Sequence, residues 1–136
     1  MIIDTSALVA LAREEQGREQ IRDALLDGAG AIPAPVIVEF RRVTGGAGNA
    51  PNLDATLLLE QLLAAGYTIE AFTAADAEVA ATANQRFGTG NGSGGSLNML
   101  DLMVYAVARR REMPVLCTGR DFSSTDIVIH PASRGW

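Results

Sequence analysis

The sequence predicts a three-layer α/β/α domain, a central and mostly parallel sheet covered by helices on both faces, and three observations carry that prediction. Short β-branched or alternating apolar runs recur along the chain and are separated by helical patterns, the signature of a parallel sheet. The first of these runs, Ile2-Ile3, passes directly into Asp4, two hydroxyl residues and an apolar helical stretch. The chain is 136 residues long, 48% hydrophobic and 20% charged, which suits one domain over 1–136 with a real core.

Taken in order, Ile2-Ile3 reads as a buried strand with no room to start earlier. A strand that ends in a carboxylate and turns into a helix puts that carboxylate at the carboxyl edge of the sheet, where open α/β folds bind ligands. Asp4, Thr5 and Ser6 are also good N-cap residues, so capping is the alternative reading. Residues from Ala7 to about Ala29 form two helical pieces parted near Gly17, with Ile21, Leu25 and Leu26 as the buried face of the second. Ala31-Ile32 is a short strand, and Pro35 suits the first turn of a new helix. That helix carries Val36, Ile37, Phe40 and Val43 inward with Glu39 on its flank, although Val36 to Phe40 is β-branched enough to be a strand. Thr44 to Asn52 is a Gly-rich connection.

Leu53 to Ala65 is a strongly apolar helix stopped by Gly66. Leu57, Leu58, Leu59, Leu62 and Leu63 cover more than one of its faces, so part of it meets either the core or another chain. Tyr67 to Phe72 alternates as a strand, and Thr73 with Asp76 opens an alanine-rich helix to about Phe87. Gly88 to Ser96 (GTGNGSGGS) has neither a preceding strand nor a following Lys-Ser/Thr, so it reads as a flexible connection rather than a phosphate-binding loop. Leu97 to Arg111 is a helix with Asn98 near its cap and Asp101 in its first turn. Met113 to Cys117 is a strand, Thr118 to Asp126 a loop, Ile127 to Ile129 a final strand, and a tail runs to Trp136.

The composition narrows the function. The net charge is −5 and the pI near 4.7, so the chain has no general electrostatic attraction for nucleic acid. A nucleic-acid substrate would need the acidity concentrated in a metal site and positive charge supplied locally. All eleven basic residues are arginines, among them Arg41, Arg42, Arg86, Arg109, Arg110, Arg111 and Arg120. No apolar run reaches membrane-spanning length, and a cytoplasmic protein is expected. The single Cys117 can form no internal disulfide, no Cys/His spacing suggests zinc, and lone His130 before Pro131 reads as a surface residue.

Four acids sit where such a sheet would gather them. Asp4 ends the first strand, Glu39 lies among apolar neighbours, Asp101 occupies a helix first turn, and Asp121 follows the strand Val115-Leu116-Cys117, with Asp126 five residues later. Two carboxylates about 5 Å apart repel by roughly 3 kcal/mol at an effective dielectric of about 20. A cluster of them therefore needs raised pKa values or a divalent cation, and oxygen-only ligands point to Mg²⁺ or Mn²⁺. Such a site could activate a water for in-line attack on a phosphodiester. Individually, Asp101 can be read as a helix cap and Asp121 and Asp126 as turn residues.

In this pattern the chain resembles the PIN-domain family, and in particular VapC-type ribonuclease toxins of bacterial toxin–antitoxin pairs. The resemblance rests on Ile-Ile-Asp4-Thr-Ser-Ala, on Val-Glu39, on Phe87-Gly88 through Leu97-Asn98-Met99-Leu100-Asp101, and on Thr118-Gly119-Arg120-Asp121-Phe122-Ser123-Ser124-Thr125-Asp126-Ile127. It implies a Mg²⁺-dependent endoribonuclease (Mn²⁺ substituting), a small antitoxin that blocks the site, and a homodimer. By position it makes Asp4, Glu39, Asp101 and Asp121 the acidic quartet, with Asp4, Asp101 and Asp121 as metal ligands. Thr5 or Ser6 would be the hydroxyl near the metal, with Asn98 in support and Asp126 a possible further acid. The chain departs from the family in the loop before Asn98, where basic residues are common and Thr89, Gly92 and Gly94 stand instead. Arg86, Arg109 or Arg120, or a dimer mate, would then have to grip RNA.

Rival readings fit less well. An aspartyl phosphatase would want a second Asp where Ser6 stands, and a phosphoacceptor receiver would want a late Lys, of which there is none. The alternative outside catalysis is a PIN fold kept as an inert binding or regulatory module, which would typically have lost one of the four acids.

Overall fold

Residues 1–133 are described by a computed structural model, and the tail expected to run on to Trp136 lies outside the described residues beyond Ser133. The strands are β1 (Ile2–Ile3), β2 (Ala31–Pro33), β3 (Thr68–Glu70) and β4 (Val115–Leu116). The helices are α1 (Thr5–Ala12), α2 (Arg18–Asp27), α3 (Ala34–Thr44), α4 (Leu53–Ala64), α5 (Ala74–Phe87) and α6 (Met99–Arg111). The strands form one parallel sheet in the order β3-β2-β1-β4, flanked by the helices.

The register is set around β1. Ile2 pairs with Ala31 on one side and with Val115 on the other, and Ile3 pairs with Leu116. Ile2, Ile3, Ile32, Val115 and Leu116 are fully buried, as a strand covered on both faces requires. α1 to α4 pack on one another, α5 packs along α6, and α6 reaches β1, β2, β4 and α3. The capping predicted at Thr73/Asp76 is present as a reciprocal box, and Asn52 caps α4 by accepting from the Ala55 N–H at 3.0 Å. Gly66, at φ 98°, takes the left-handed conformation that ends α4.

Several sequence expectations need correction. Ile127 to Ile129 is not a strand: a lone parallel bridge joins Val115 to Ile129, and His130 returns one hydrogen bond to Val115 at 2.8 Å. Three residues with Thr-Asp before them and Pro131 after them leave too little chain for a ladder. Leu26 is 76% exposed, because α2 buries only the stripe through Ile21 and Leu25. Val36 to Phe40 is helical rather than extended; Pro35 in the first turn fixes the helical φ from the start. α3 also runs through Thr44, whose hydroxyl bonds back to the Phe40 carbonyl at 2.7 Å. The strands expected over Tyr67–Phe72 and Met113–Cys117 shrink to their central residues.

Gly88 to Ser96 is not a loose tether. Leu97 donates to the Phe87 carbonyl at 2.9 Å and Thr89 donates to Leu97 at 2.8 Å, closing the segment at its base. Asn91 organises its interior: its Oδ1 accepts from the N–H groups of Ser93 and Gly95, and its Nδ2 donates to the Arg86 carbonyl at 2.9 Å.

Candidate active site

The order of the strands makes a crevice. From β1 the chain steps outward through β2 to β3, then returns to place β4 on the other flank of β1. A parallel sheet opens a ligand crevice at the carboxyl ends of the strands between which its connections part. Here those strands are β1 and β4.

Asp4 stands at that point. Its N–H donates to the Leu116 carbonyl at 3.0 Å, so pairing with β4 extends one residue past β1 and fixes the backbone. The side chain caps α1, its Oδ2 accepting from the Ser6 N–H at 2.9 Å and from the Ser6 hydroxyl. The Ser6 oxygen in turn accepts from the Thr118 N–H at 3.0 Å, tying α1 to the loop after β4. Burial pushes the Asp4 carboxyl above its usual range; the Ser6 and Thr5 hydrogen bonds oppose this and the charge of Glu39 adds to it. Thr5 is buried beside it, and its Oγ1 is the one buried side-chain polar atom without a hydrogen-bond partner among the described residues. Leaving a buried hydroxyl unpaired costs about 1–3 kcal/mol.

Asp101 lies in the first turn of α6, in a reciprocal capping box: Asn98 Oδ1 accepts from Leu100 and Asp101, and Asp101 Oδ2 accepts from the Asn98 N–H at 2.8 Å. Both capping readings are therefore realised, and neither is the whole account. Asp101 is only 9% exposed, unlike a solvated cap. Burial pushes its carboxyl up to about 7, the Asn98 N–H opposing, and the charges of Asp4, Asp121 and Glu39 all add to the rise. Four acids from the end of β1, the middle of α3, the start of α6 and the loop after β4 thus act on one another. Cys117 registers the same field: burial, then Asp4, and more weakly Asp121 and Asp101, push its thiol up to about 12, which leaves it chemically inert.

Glu39 is half-buried on α3, and Asp121 is exposed at the start of a 3₁₀ turn, Asp121–Ser124. Among the described residues no three acidic, His or Cys side chains stand close enough to enclose a cation as they are placed. The donor chemistry of the four acids nonetheless fits a hard divalent cation: oxygen-only ligands, a buried hydroxyl in want of a partner, and a carboxyl held near neutrality at a cost.

The remaining candidates divide. Asp126 is turned away from the quartet: Tyr105 donates to its Oδ1 at 2.6 Å, Arg109 reaches its Oδ2 at 3.3 Å, and Arg86 lies at 3.8 Å. The tyrosine hydrogen bond and both arginines hold its carboxyl below the usual range. Arg86 and Arg109 are thus partly engaged by Asp126, and Arg86 also lies over the Phe87 ring at 4.8 Å. Arg120 is exposed and immediately precedes Asp121 in the chain. Sequence reasoning passed over Tyr105, although Tyr105 and Arg109 are i, i+4 on one helix face and could have been read as a pair. It also missed Arg110, which bonds buried Asp76 at 2.6 Å and Glu70 at 2.9 Å and so staples α6 to α5 and β3.

Two apolar grooves lie outside the acidic quartet. One apolar groove of about 480 Å³ is lined by Phe72, Ala80, Leu97, Met99 and Leu102. Another of about 540 Å³ is lined by Leu25, Leu26, Leu58 and Leu62. A phosphodiester on a long polymer needs an open, charged edge, so the acidic crevice remains the chemical candidate.

Comparison with known proteins agrees with this fold. A family model of the PIN domain matches residues 1–128. Ribonuclease VapC42 of Mycobacterium tuberculosis is 35% identical over 129 residues, covering 93% of this chain and 96% of the relative. Among solved structures, the crystal structure of Mycobacterium tuberculosis VapC20, described as a sarcin-ricin loop cleaving toxin, superposes with a TM-score of 0.73 at 18% identity, covering 93% of this chain and 95% of that one. A toxin–antitoxin complex from Klebsiella pneumoniae superposes with a TM-score of 0.68 at 20% identity, covering 96% of each chain.

Proposed function

The chain belongs to the PIN-domain family, and on that footing we propose that it is a Mg²⁺-dependent endoribonuclease acting as the toxin of a toxin–antitoxin pair. The observation that carries the reading is Asp101, a carboxyl 9% exposed at the start of α6 and raised by burial and by the charges of Asp4, Asp121 and Glu39. Relatives named as ribonucleases, and a fold shared with a solved toxin–antitoxin complex, support it further.

Asp4, Asp101 and Asp121, with Glu39 as the fourth acid, would hold the cation, and Mn²⁺ would serve in place of Mg²⁺. The chemistry such a cation would supply is a lowered pKa for a bound water and compensation of the charge that builds on the phosphate. The chain's own residues supply the orientation. Ser6 holds Asp4 Oδ2, and the Asn98 N–H holds Asp101 Oδ2, so each carboxylate keeps one oxygen fixed. The Thr5 hydroxyl is left to meet a ligand. Arg120 supplies positive charge beside Asp121, which an acidic protein needs in order to receive an RNA phosphate. The protein partners would be a small antitoxin that blocks this edge and a second copy of the chain. No helix among the described residues is long and apolar enough to cross a membrane.

The test is cleavage of end-labelled RNA with Mg²⁺ against EDTA. Cutting in Mg²⁺ alone is expected. RNA that is bound yet uncut would make the chain an inert PIN-fold binding module instead. Co-purification with the product of the gene immediately upstream tests the antitoxin pairing.

A further inference from the structure

We propose that Ser96, at the end of the Gly-rich segment, is a positioning residue that holds Asp121 at the mouth of the acidic crevice. The inference rests on the nuclease reading of that crevice. Asp121 is the one acid of the four that neither belongs to a strand end nor sits within a long helix; it opens a four-residue turn on the surface. Such a turn fixes a side chain poorly unless something outside it holds its backbone. Ser96 does so: its hydroxyl donates to the Asp121 carbonyl at 2.6 Å. With that proton committed, the 3.2 Å contact between the two hydroxyls is a donation from Ser124 Oγ to Ser96 Oγ. One side chain therefore grips the first and last residues of the turn.

Ser96 is itself firmly placed. A Cβ on Gly95 would lie 2.3 Å from the Gly88 carbonyl and 2.6 Å from the Phe87 backbone, so only glycine allows the two ends of the segment to close. Asn91 accepts from the Gly95 N–H at 3.1 Å and is anchored to the end of α5 through the Arg86 carbonyl. Two residues beyond Ser96, Asn98 caps α6 and begins the box that contains Asp101. Ser96 thus couples the backbone leading into Asp101 to the backbone that carries Asp121, and the low-complexity stretch is the rigid arm that makes the coupling.

The experiment compares wild type, Ser96→Ala and Ser96→Thr in the full chain, reading Mn²⁺ affinity by calorimetry, the split of kcat from KM on labelled RNA, and thermal stability without metal. Partners that orient metal ligands typically change affinity by roughly 10- to 100-fold when removed. Ser96→Ala is expected to weaken Mn²⁺ binding about tenfold and to lower kcat more than it changes KM, with metal-free melting nearly unmoved. Ser96→Thr, which keeps the hydroxyl, is expected to restore both. If Ser96→Ala binds Mn²⁺ like wild type, or Ser96→Thr is as defective as Ser96→Ala, the assignment of Ser96 is overturned while the nuclease reading stands. If wild type itself neither binds Mn²⁺ nor cuts RNA, the nuclease reading falls and takes this proposal with it.

Discussion

The Thr118 N–H donates to the Ser6 hydroxyl at 3.0 Å across 112 residues of chain, and the same hydroxyl donates to Asp4. One small side chain thus joins the two strand ends that bound the crevice. Ser6→Ala removes both bonds and leaves the Thr118 amide without this partner. A loss of about 1–2 kcal/mol in urea unfolding is expected, together with weaker RNA cleavage. Ser6→Thr should recover most of each. Equal stability in wild type and Ser6→Ala would show that the bridge does not hold the two elements.

Asp4→Asn separates chemistry from folding. Asn caps a helix as well as Asp does, and the change removes one of the mutually repelling charges. Metal-free stability should hold or rise slightly, while Mg²⁺-dependent cleavage falls by orders of magnitude. Near wild-type cleavage by Asp4→Asn would take Asp4 out of the site.

The acidic crevice also sets a pH dependence. Asp101 titrates at about 7 in the folded chain against an ordinary 3.8, so between those values the folded state holds a proton that the unfolded state has released. Stability in EDTA must therefore fall as the pH rises from about 4 to about 7 and level off above, by up to a few kcal/mol. Asp4 shifts in the same direction and adds to the fall. Asp76 and Asp126 are held below the usual range, so their contribution is lost only at still lower pH. Melting in EDTA should be higher at pH 5 than at pH 7.5, with Asp101→Asn flattening much of the slope. Millimolar Mn²⁺ at pH 7.5 should recover the loss, because it binds the native state. A melting temperature that climbs through this window would contradict the buried cluster.

Leu53, Leu57 and Leu63 on α4 are 80%, 48% and 42% exposed, while Leu59 and Leu62 are buried. Such a surplus of outward leucines favours a second chain over water. Light scattering at micromolar concentration should give a mass above the 14.3 kDa of one chain. A lone monomer would mean that the outward leucines meet no second copy.

Much of the architecture was legible because periodicity and caps are local. Ile2-Ile3, the Thr73/Asp76 box and the stop at Gly66 each announce themselves within a few residues. Two kinds of feature were not. Ile127 to Ile129 has strand chemistry, but Pro131 and the short run deny it a ladder, which only tertiary geometry decides. The Gly-rich segment looks floppy by composition, yet Asn91 supplies hydrogen bonds that composition does not count. Four acids could be nominated as site residues from their positions in an α/β order. The diversion of Asp126 to Tyr105, Arg86 and Arg109 could not, since it depends on how two helices and a loop meet.

The central place of β1 has a further consequence for how the molecule is made. Ile2 is synthesised long before Val115, its second neighbour in the sheet. A nascent chain can pair β1 with β2 early, but the other edge of β1 stays open, and open strand edges invite wrong partners. Non-local parallel pairings of this kind are also slow to form. On the proposed reading, Asp4 gains Asp121 only when that last pairing closes. On that reading, a chain that has not yet reached β4 and Asp121 is a harmless one.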